Sequence, residues 1–307
     1  RETSGTPAWS ITSLAAFLSK PAKSHYLHHS TEETMRDIYK TTAVTKRDVQ
    51  TTMSREQYLS SEGLNPSVLK KGLADGQVSP LLVRHHYENP PETTQAQKDR
   101  FAPGTLGHMA WLEPERVPSD VAVWSGGRRA GNDWKEFVVV NAGKLIVKKD
   151  DYDRIMTCTD QVLKALRGSE VLELLSEGES EVAVFSEEYG LQTRGQLDWI
   201  NTSGESAIVD LKFSDTHSER VVDQNISRFN YDLSLACYHR WFTRESHKQV
   251  DRVVIVTICT TPPYGVVIRE LGEVALEHGW DKADRVLTAV RGAIDNDSWE
   301  IPIASDH

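Results

Sequence analysis

Short apolar runs bounded by glycine, asparagine and serine occupy the middle of the chain and predict β-strands. Three of them follow one another closely, at residues 181–186, 193–200 and 206–213, and a polar turn separates the last two. A buried strand is predicted in QVDRVVIVTICTT, and a further strand, YGVVIREL, follows the pair Pro262-Pro263. The pattern therefore places a group of strands between residues 181 and 271.

Apolar residues that recur at a spacing of three and four predict helices on both sides of these strands. One helix covers residues 104–113 and ends before Pro114, and a single amphipathic helix covers residues 225–246 with Phe229 on its apolar face. Residues 90–103 are rich in Pro and Gln and are predicted to form a loop. The other predicted helices cover residues 13–20, 25–40, 66–73, 273–294 and a segment that starts near Asp150.

Two acids and a lysine interrupt the apolar strands, which is costly unless they are paired or hold a metal. If Ile200 faces Ser206 in a hairpin, Asp198 and Asp210 lie one diagonal step apart on one face, and Lys212 points the same way. A slip of one residue would separate the two acids. The spacing fits a Mg²⁺-dependent phosphodiesterase, and it fits a surface hairpin with an Asp–Lys pair equally well.

Composition narrows the class of protein. The chain has 307 residues, 38% of them hydrophobic and 26% charged, which suits one large domain or two modest ones. It has no apolar run of about 18 residues, so we expect no transmembrane helix. Three cysteines without CxxC spacing favour a reducing compartment and disfavour a zinc ribbon or an iron–sulfur cluster. Because the first residue is Arg, the chain is expected to be a piece of a longer product.

The net charge of −10 argues against a protein that coats DNA without specificity. A basic channel inside an acidic shell would still permit DNA binding. Arg128, Arg129, Lys148 and Lys149 form the densest basic group near the acidic strands. They are candidates for contacts with DNA phosphates, and ordinary solvated charge explains them as well.

Further polar residues have two interpretations each. His108 lies within the apolar helix 104–113 and could be a satisfied core histidine or a metal ligand. Tyr231 and Tyr238 are seven residues apart, hence on nearly one helix face, and could be core aromatics or hydrogen-bond donors to a phosphate. The histidines at positions 25, 28 and 29 could bind a metal, and a solvated polar face is the favoured interpretation.

An ordered series of motifs resembles the RecE-type exonucleases (exonuclease VIII) of the PD-(D/E)xK nuclease superfamily. GTLGHMAWLEPERV is similar to the histidine helix of that family, SEVAVF to its glutamate strand, and GQLDWI and IVDLK to its aspartate and Asp-x-Lys strands. YDLSLACYH resembles its tyrosine helix and VVIVTICTTPPYGVVIREL its closing strands. The resemblance covers roughly residues 55–300. The tyrosine helix departs from Tyr-x-x-Gln-x-x-x-Tyr, because Ser234 stands at the glutamine position.

The resemblance implies an α/β fold in which helices flank a central mixed β-sheet, as in restriction endonucleases, here with a helical N-terminal region. Residues 1–52 would form an N-terminal segment without a matching part in the family, and residues 53–307 would form the nuclease domain. By the same resemblance, His108, Asp198, Asp210 and the Leu211 carbonyl would hold Mg²⁺ or Mn²⁺. Glu181 would act in the outer shell or on a second metal. Lys212 would activate or orient water, and a positive site environment that lowers its pKa would help it to do so. Tyr238 would be a further catalytic residue.

The activity implied is 5′→3′ digestion of linear double-stranded DNA, which leaves 3′ single strands for a single-strand annealing protein. The resemblance also implies a ring-shaped homo-oligomer, either a trimer or a tetramer. It implies a location in the cytoplasm of a bacterial or phage-infected cell, and no membrane role. Rival interpretations are a restriction-like or structure-specific endonuclease on the same core, an inactive DNA-end-binding module, and a metal-binding enzyme that does not cleave nucleic acid.

Overall fold

The computed structural model describes residues 48–50, 53–74, 77–175 and 177–299. The N-terminal helices predicted at residues 13–20 and 25–40, and the three histidines there, lie outside the described residues. The strands are β1 (Asp48–Gln50), β2 (Leu73–Ala74), β3 (Gln77–Val78), β4 (Val121–Trp124), β5 (Leu145–Lys148), β6 (Glu179–Glu188), β7 (Leu191–Asn201), β8 (Ala207–Ser214), β9 (Arg252–Cys259) and β10 (Gly265–Glu270).

Helices precede, separate and follow groups of these strands along the chain. They are α1 (Arg55–Ser60), α2 (Pro66–Leu69), α3 (Pro80–Glu88), α4 (Gln95–Leu112), α5 (Val117–Asp120), α6 (Asn132–Val140), α7 (Lys149–Ala165), α8 (Glu170–Leu174), α9 (Glu219–Arg228), α10 (Tyr231–Ser246) and α11 (Glu273–Asp295). Short 3₁₀ turns follow α2 and α4. Within the described ranges, no helix combines the length and the apolar composition needed to cross a membrane.

A six-stranded mixed sheet with the order β1-β6-β7-β8-β9-β10 forms the centre of the fold. Its neighbouring strands are antiparallel except β8 and β9, which run parallel because α9 and α10 form the crossover between them. The predicted α/β fold with a central mixed sheet is therefore confirmed. β1, which lies in the segment 1–52, adds an edge strand beside β6.

Two apolar cores cover the two faces of this sheet. On one face, α10 and α11 pack through Leu233, Trp241 and Val286. On the other face, α7 and the end of α4 pack through Cys158 and Leu112. Strands buried on both faces read as continuous apolar runs, which is why RVVIVTIC was recognisable as a strand from its composition alone.

The predicted register of the hairpin between β7 and β8 is wrong. Ile200 pairs with Ile208, and Trp199 pairs with Val209, so the strands are shifted by two residues from the Ile200–Ser206 register. Because side chains alternate with a period of two, a shift of two residues leaves each side chain on its original face. The face shared by Asp198, Asp210 and Lys212 therefore survives the error.

Two helix boundaries also differ from prediction. The loop predicted at residues 90–103 is largely helical, because Thr94 and Gln97 form a capping box that starts α4 at Gln95. The single helix predicted at 225–246 is two helices, α9 and α10, which are separated where Asn230 adopts a left-handed conformation with φ 48°. The break leaves Phe229 exposed instead of placing it in the core.

Candidate metal centre

Three side chains from three separate elements converge beside the central sheet. His108 from α4, Glu181 from β6 and Asp198 from β7 each offer a ligand atom, and these atoms all lie within 4.8 Å of one another. The Nδ1 atom of His108 is 3.6 Å from the Oδ2 atom of Asp198. All three side chains are half-buried, and they line a cleft of about 1050 Å³.

The approach of α4 to β8 places His108 at this position. The residue before it is Gly107, where an added Cβ would lie 2.6 Å from the Phe213 ring, so glycine permits the close contact of helix and strand. The His108 ring then packs edge-on against Phe213, with ring centroids 5.3 Å apart. The small residue thus fixes the distance at which the imidazole meets the acids.

The orientation of Asp198 follows from the way in which β7 and β8 separate. Their paired residues end at Trp199 and Val209. Beyond that pair the backbone N–H of Leu211 donates a hydrogen bond of 2.8 Å to the Asp198 carboxylate. The carboxylate therefore takes the place of a backbone acceptor, which satisfies a buried donor and holds the acid in one direction.

Glu181 interrupts the ladder on the other side of β7. Ser180 pairs with Trp199 and Val182 pairs with Leu197, so Glu181 lies opposite Asp198. Its φ of 53° is in the left-handed region, which is costly for a residue with a side chain. This distortion within a ten-residue strand coincides with the convergence of the two acids.

Asp210 and Lys212, neighbours on one face of β8, form an ion pair beside this cluster. Lys212 Nζ is also 4.0 Å from Asp198 and donates a 3.1 Å hydrogen bond to the Leu211 carbonyl. Burial raises the pKa of Asp210, and Lys212 opposes that effect. Burial by itself lowers the pKa of Lys212, but the carboxylates of Asp210 and Asp198 raise it overall. The lysine is thus a cation that offsets two acids.

The pKa of Glu181 is displaced towards neutrality. Burial, followed by the nearby Asp198 carboxylate, raises the pKa of Glu181 to about 7, and Arg55 opposes the shift from 3.9 Å. Glu181 is therefore partly protonated near neutral pH when no cation is bound. A group that gives up a proton when a cation binds makes the affinity for that cation rise with pH.

The raised pKa of Glu181 predicts a pH-dependent stability for the metal-free protein. A carboxyl whose folded pKa exceeds its unfolded pKa adds stability below the unfolded value, and that stability is lost as the pH rises through about 7. Between pH 5 and pH 8, we expect the free energy of unfolding to fall by about 2 kcal/mol more for the wild type than for Glu181→Gln. Urea unfolding in EDTA at both pH values measures this difference.

The exposed acid Glu179 lies on the same strand and supplies the control for that measurement. The Glu179→Gln variant should follow the wild-type dependence on pH. Parallel curves for the wild type and Glu181→Gln would contradict the assignment of the raised pKa to Glu181.

The two tyrosines of α10 border the site at different depths. Tyr231 has Lys212 Nζ 5.2 Å and Lys70 Nζ 5.3 Å from its ring centroid, which are cation–π distances. The Tyr238 ring packs against Gly195, where a Cβ would lie 2.8 Å from the ring. Burial raises the pKa of Tyr238 well above its usual value, so its phenol stays protonated and lines the cleft as a neutral hydrogen-bond donor.

The predicted basic residues lie apart from this cluster. Arg129 forms an ion pair with Asp99, 2.5 Å away, and donates to the Ile146 carbonyl. Lys149 pairs with Asp153 on the surface of α7. Arg128 is exposed in the loop after β4, and Lys148 is exposed at the end of β5. None of the four basic residues lines the cleft that holds His108 and the acids.

Sequence analysis missed several cations near the cluster. Arg55 and Arg116 line the cleft, the former near Glu181 and the latter paired with Glu113 and Asp120. Lys70 lies next to Tyr231, and its burial lowers its pKa to about 8. Arg116 could have been found from its place directly after the histidine helix. Arg55 and Lys70 carry no such signal, because only the tertiary fold brings them close.

The donor set fits a divalent cation. One imidazole nitrogen and two carboxylates are ligands that Mg²⁺, Mn²⁺ and Zn²⁺ accept. Two acids in close proximity and partly buried are unfavourable without a counter-charge. His108, Glu181 and Asp198 are the residues placed to hold such an ion. Asp210 and the Leu211 carbonyl, which were predicted as ligands, are engaged with Lys212 next to the three-residue cluster.

The comparison with solved structures shows the fold. A protein from Eubacterium rectale, described as "Putative exonuclease", superposes with a TM-score of 0.53 at 14% sequence identity, covering 82% of this chain and 89% of that one. A second structure, described as SSO0001, has 15% sequence identity, and the alignment covers 64% of this chain and 87% of that one. Its TM-score of 0.27 is too low to indicate a shared fold. No curated protein matches the chain.

The sequence profile of one domain family matches residues 85–304, well over half of the chain, and is described as a PDDEXK-like domain of unknown function (DUF3799). That range contains the histidine helix α4, the acidic strands β6 to β8 and the helix α10. The match supports the PD-(D/E)xK superfamily, whereas nothing in it distinguishes the RecE type. The chain belongs to the PDDEXK-like domain family DUF3799.

Proposed function

We propose that this protein is a divalent-metal-dependent deoxyribonuclease. One observation carries the proposal: His108, Glu181 and Asp198 offer ligand atoms within 4.8 Å of one another, in a cleft that Lys212 also lines. This combination of acids, imidazole and a cation on a PD-(D/E)xK sheet suits phosphodiester hydrolysis. The name of the Eubacterium rectale protein, an exonuclease, agrees with the same class of reaction.

The residues of the site have different roles in this reaction. His108, Glu181 and Asp198 would hold the cation, with Asp210 close by as a further carboxylate. When bound, a divalent cation polarises the phosphate and lowers the pKa of a water molecule. Lys212, whose pKa the neighbouring acids raise, acts as a hydrogen-bond donor that orients the water and offsets charge on the phosphate, rather than as a base. Tyr238 contributes a second donor in the same cleft, and this donor is neutral.

The ordered motifs support a narrower activity, namely exonucleolytic digestion of linear double-stranded DNA in the 5′→3′ direction with Mg²⁺ or Mn²⁺. The 3′ single strands produced would be substrates for a single-strand annealing protein in recombination, in the cytoplasm of a bacterial or phage-infected cell. The support for these finer points is the resemblance of the histidine helix, D-W-I, D-L-K and tyrosine-helix motifs to RecE-type exonucleases.

The direct test is digestion of duplex DNA labelled at the 5′ or the 3′ end of one strand. With Mg²⁺, the 5′ label should be released first from linear duplex, closed circular duplex should stay intact, and EDTA should stop the reaction. Nicking of closed circles would favour an endonuclease instead. Binding to DNA ends without cleavage under any divalent cation would favour an inactive end-binding module.

The same resemblance supports a closed homo-oligomer, a trimer or tetramer, that encircles DNA. A ring would place basic residues in a channel and the excess of acids outside, which reconciles DNA binding with a net charge of −10. Light scattering at working concentration should give the mass of three or four chains. A monomeric mass would overturn the ring while leaving the nuclease proposal standing.

A further inference from the structure

A second cleft, of about 600 Å³, opens next to the cleft of the metal centre. Four residues line both clefts, namely Phe101, Gly104, Lys212 and Phe213. The two clefts are therefore adjacent, and the Lys212 side chain lies in the wall of both. A polymer whose cleaved bond lies at the metal centre would have its neighbouring units close to the second cleft.

Two phenylalanines on the wall of this cleft are unusually exposed. Phe101, on α4, is 49% exposed, and Phe229, at the end of α9, is 45% exposed. Phe229 has this position because the left-handed Asn230 turns the chain between α9 and α10. Its ring lies 5.7 Å from that of Tyr231, which lines the same cleft. Aromatic faces that remain open to solvent are available to stack against a ligand.

An arginine accompanies each of these phenylalanines. The Arg100 guanidinium is 5.2 Å from the Phe101 ring centroid, and the Arg228 guanidinium is 5.4 Å from the Phe229 centroid. No carboxylate within the described ranges forms an ion pair with Arg100 or Arg228, in contrast to Arg129, which pairs with Asp99. The two arginines thus keep their charge available beside the two exposed rings.

Cations outnumber acids among the residues that line the cleft. Arg100, Arg154 and Lys212 line it, against one acid among the lining residues, Asp215. Arg154 and Lys212 are partly neutralised, because Arg154 pairs with Asp151 and Lys212 pairs with Asp210. The anionic ligand that this surface suits must therefore use Arg100 for charge and the aromatic faces for contact.

We infer that the second cleft binds unpaired nucleotides of a single DNA strand, with bases stacking on Phe101 and Phe229 and phosphates contacting Arg100. The inference rests on the proposed nuclease function and adds to it a subsite next to the scissile bond. Single-strand sites combine a positive groove with aromatic side chains, because every base has a π-face. In a duplex the base faces are already stacked on one another, so they are not available to stack on exposed phenylalanines.

The test measures single-strand affinity in the absence of cleavage. In EDTA, the fluorescence anisotropy of labelled oligodeoxythymidylate reports binding to the wild type and to Phe101→Leu and Phe229→Leu. Each variant should bind at least about fivefold more weakly, since one base–aromatic stack contributes about 1–3 kcal/mol. Phe101→Tyr and Phe229→Tyr retain an aromatic face and should keep the wild-type affinity.

Two controls separate stacking from a general surface effect. Tyr189 is a similarly exposed aromatic residue that lines neither cleft, so Tyr189→Leu should leave single-strand binding unchanged. Blunt duplex should bind the Phe→Leu variants as it binds the wild type. Equal affinity of wild type and both Phe→Leu variants for the single strand would overturn the inference, and so would an equal loss of duplex binding.

A small chromogenic phosphodiester, bis(p-nitrophenyl) phosphate with Mn²⁺, separates this inference from the proposed function. Its hydrolysis needs the metal centre alone, so Phe229→Leu, which changes the second cleft and not the cleft of the metal centre, should match the wild type. If the wild type hydrolyses it and the variants keep single-strand affinity, only the subsite is wrong. If the wild type hydrolyses neither this diester nor DNA with any divalent cation, the nuclease proposal fails, and the binding data alone decide the subsite.

Discussion

Replacing Asp198 with Asn should reduce metal-dependent DNA cleavage by at least about 10³-fold, because the interaction of a bound cation with the phosphate contributes several kcal/mol. Asp198 is central to the cluster, lying near His108, opposite Glu181 and within 4.0 Å of Lys212. The amide oxygen of asparagine can still accept the hydrogen bond from Leu211, so the fold should persist. Release of acid-soluble nucleotides from linear duplex in Mg²⁺ measures the effect.

The control for Asp198→Asn is the loss of a carboxylate on the surface, away from the metal centre. Asp153 is half-exposed on α7 and pairs with Lys149, far from the cluster in the chain. Asp153→Asn should keep wild-type activity. The metal-centre assignment would be wrong if Asp198→Asn kept its activity with an unchanged thermal unfolding curve. Divalent-ion binding by calorimetry provides a second measurement, since the variant should also bind Mn²⁺ more weakly.

Replacing Lys212 with Met should lower activity by about 10² to 10³-fold, the loss typical of removing one donor that stabilises charge at the reacting group. It should also destabilise the metal-free protein. The substitution removes the partner of the buried Asp210 and leaves its charge uncompensated. Breaking a buried pair costs about 3–5 kcal/mol, and because about a quarter of the Lys212 side chain stays exposed, we expect about 2–3 kcal/mol here. Urea unfolding in EDTA at pH 8 measures the loss.

The loss of stability should shrink at low pH. Without the lysine, nothing at that position opposes the effect of burial, so the pKa of Asp210 in the folded protein rises further. A carboxyl with a raised pKa destabilises the folded state at high pH, where it must be charged, and this cost disappears at low pH, where it is protonated. The double variant Asp210→Asn/Lys212→Met should regain most of the lost stability, because it buries no lone charge. A double variant as unstable as Lys212→Met would show that packing, rather than charge, explains the loss.

The exposed pair Lys164–Asp160 on α7 is the matched control for this cycle. Both of its side chains are more than half exposed, so solvent screens their attraction. Lys164→Met should therefore change stability by less than about 1 kcal/mol at either pH.

Much of the fold could be predicted because local patterns and the final structure agree. The buried strand β9 is a short apolar run rich in Val and Ile, which favours a strand over a helix, and Pro114 marks the end of α4 as expected. The loop expected before residue 104 is helical because the capping box at Thr94 outweighs the presence of Pro103. The helix expected across residue 230 is broken because Asn230 tolerates a left-handed conformation, which apolar periodicity does not register.

The candidate site was predictable to the extent that strand alternation governs it. Asp198, Asp210 and Lys212 share a face whatever the register, provided that the shift is even, and the structure differs from the predicted register by two residues. Strand alternation does not determine which acids lie close to His108. Glu181, expected in the outer shell or on a second metal, lies within the cluster, whereas Asp210 is paired with Lys212.

The sequence by itself determined which strand residues are candidates for the chemistry, because a carboxylate or lysine in an apolar strand is retained only where something compensates its burial. The tertiary structure alone decided the distances. Gly107 sets how closely His108 approaches the strands, and the separation of β7 from β8 turns Asp198 towards the Leu211 N–H. The surroundings of Lys212, with Tyr231 beside it and Phe101 lining both clefts, depend on contacts between residues far apart in the chain. No local pattern encodes such contacts, because they arise only when helices from different parts of the chain pack around one sheet.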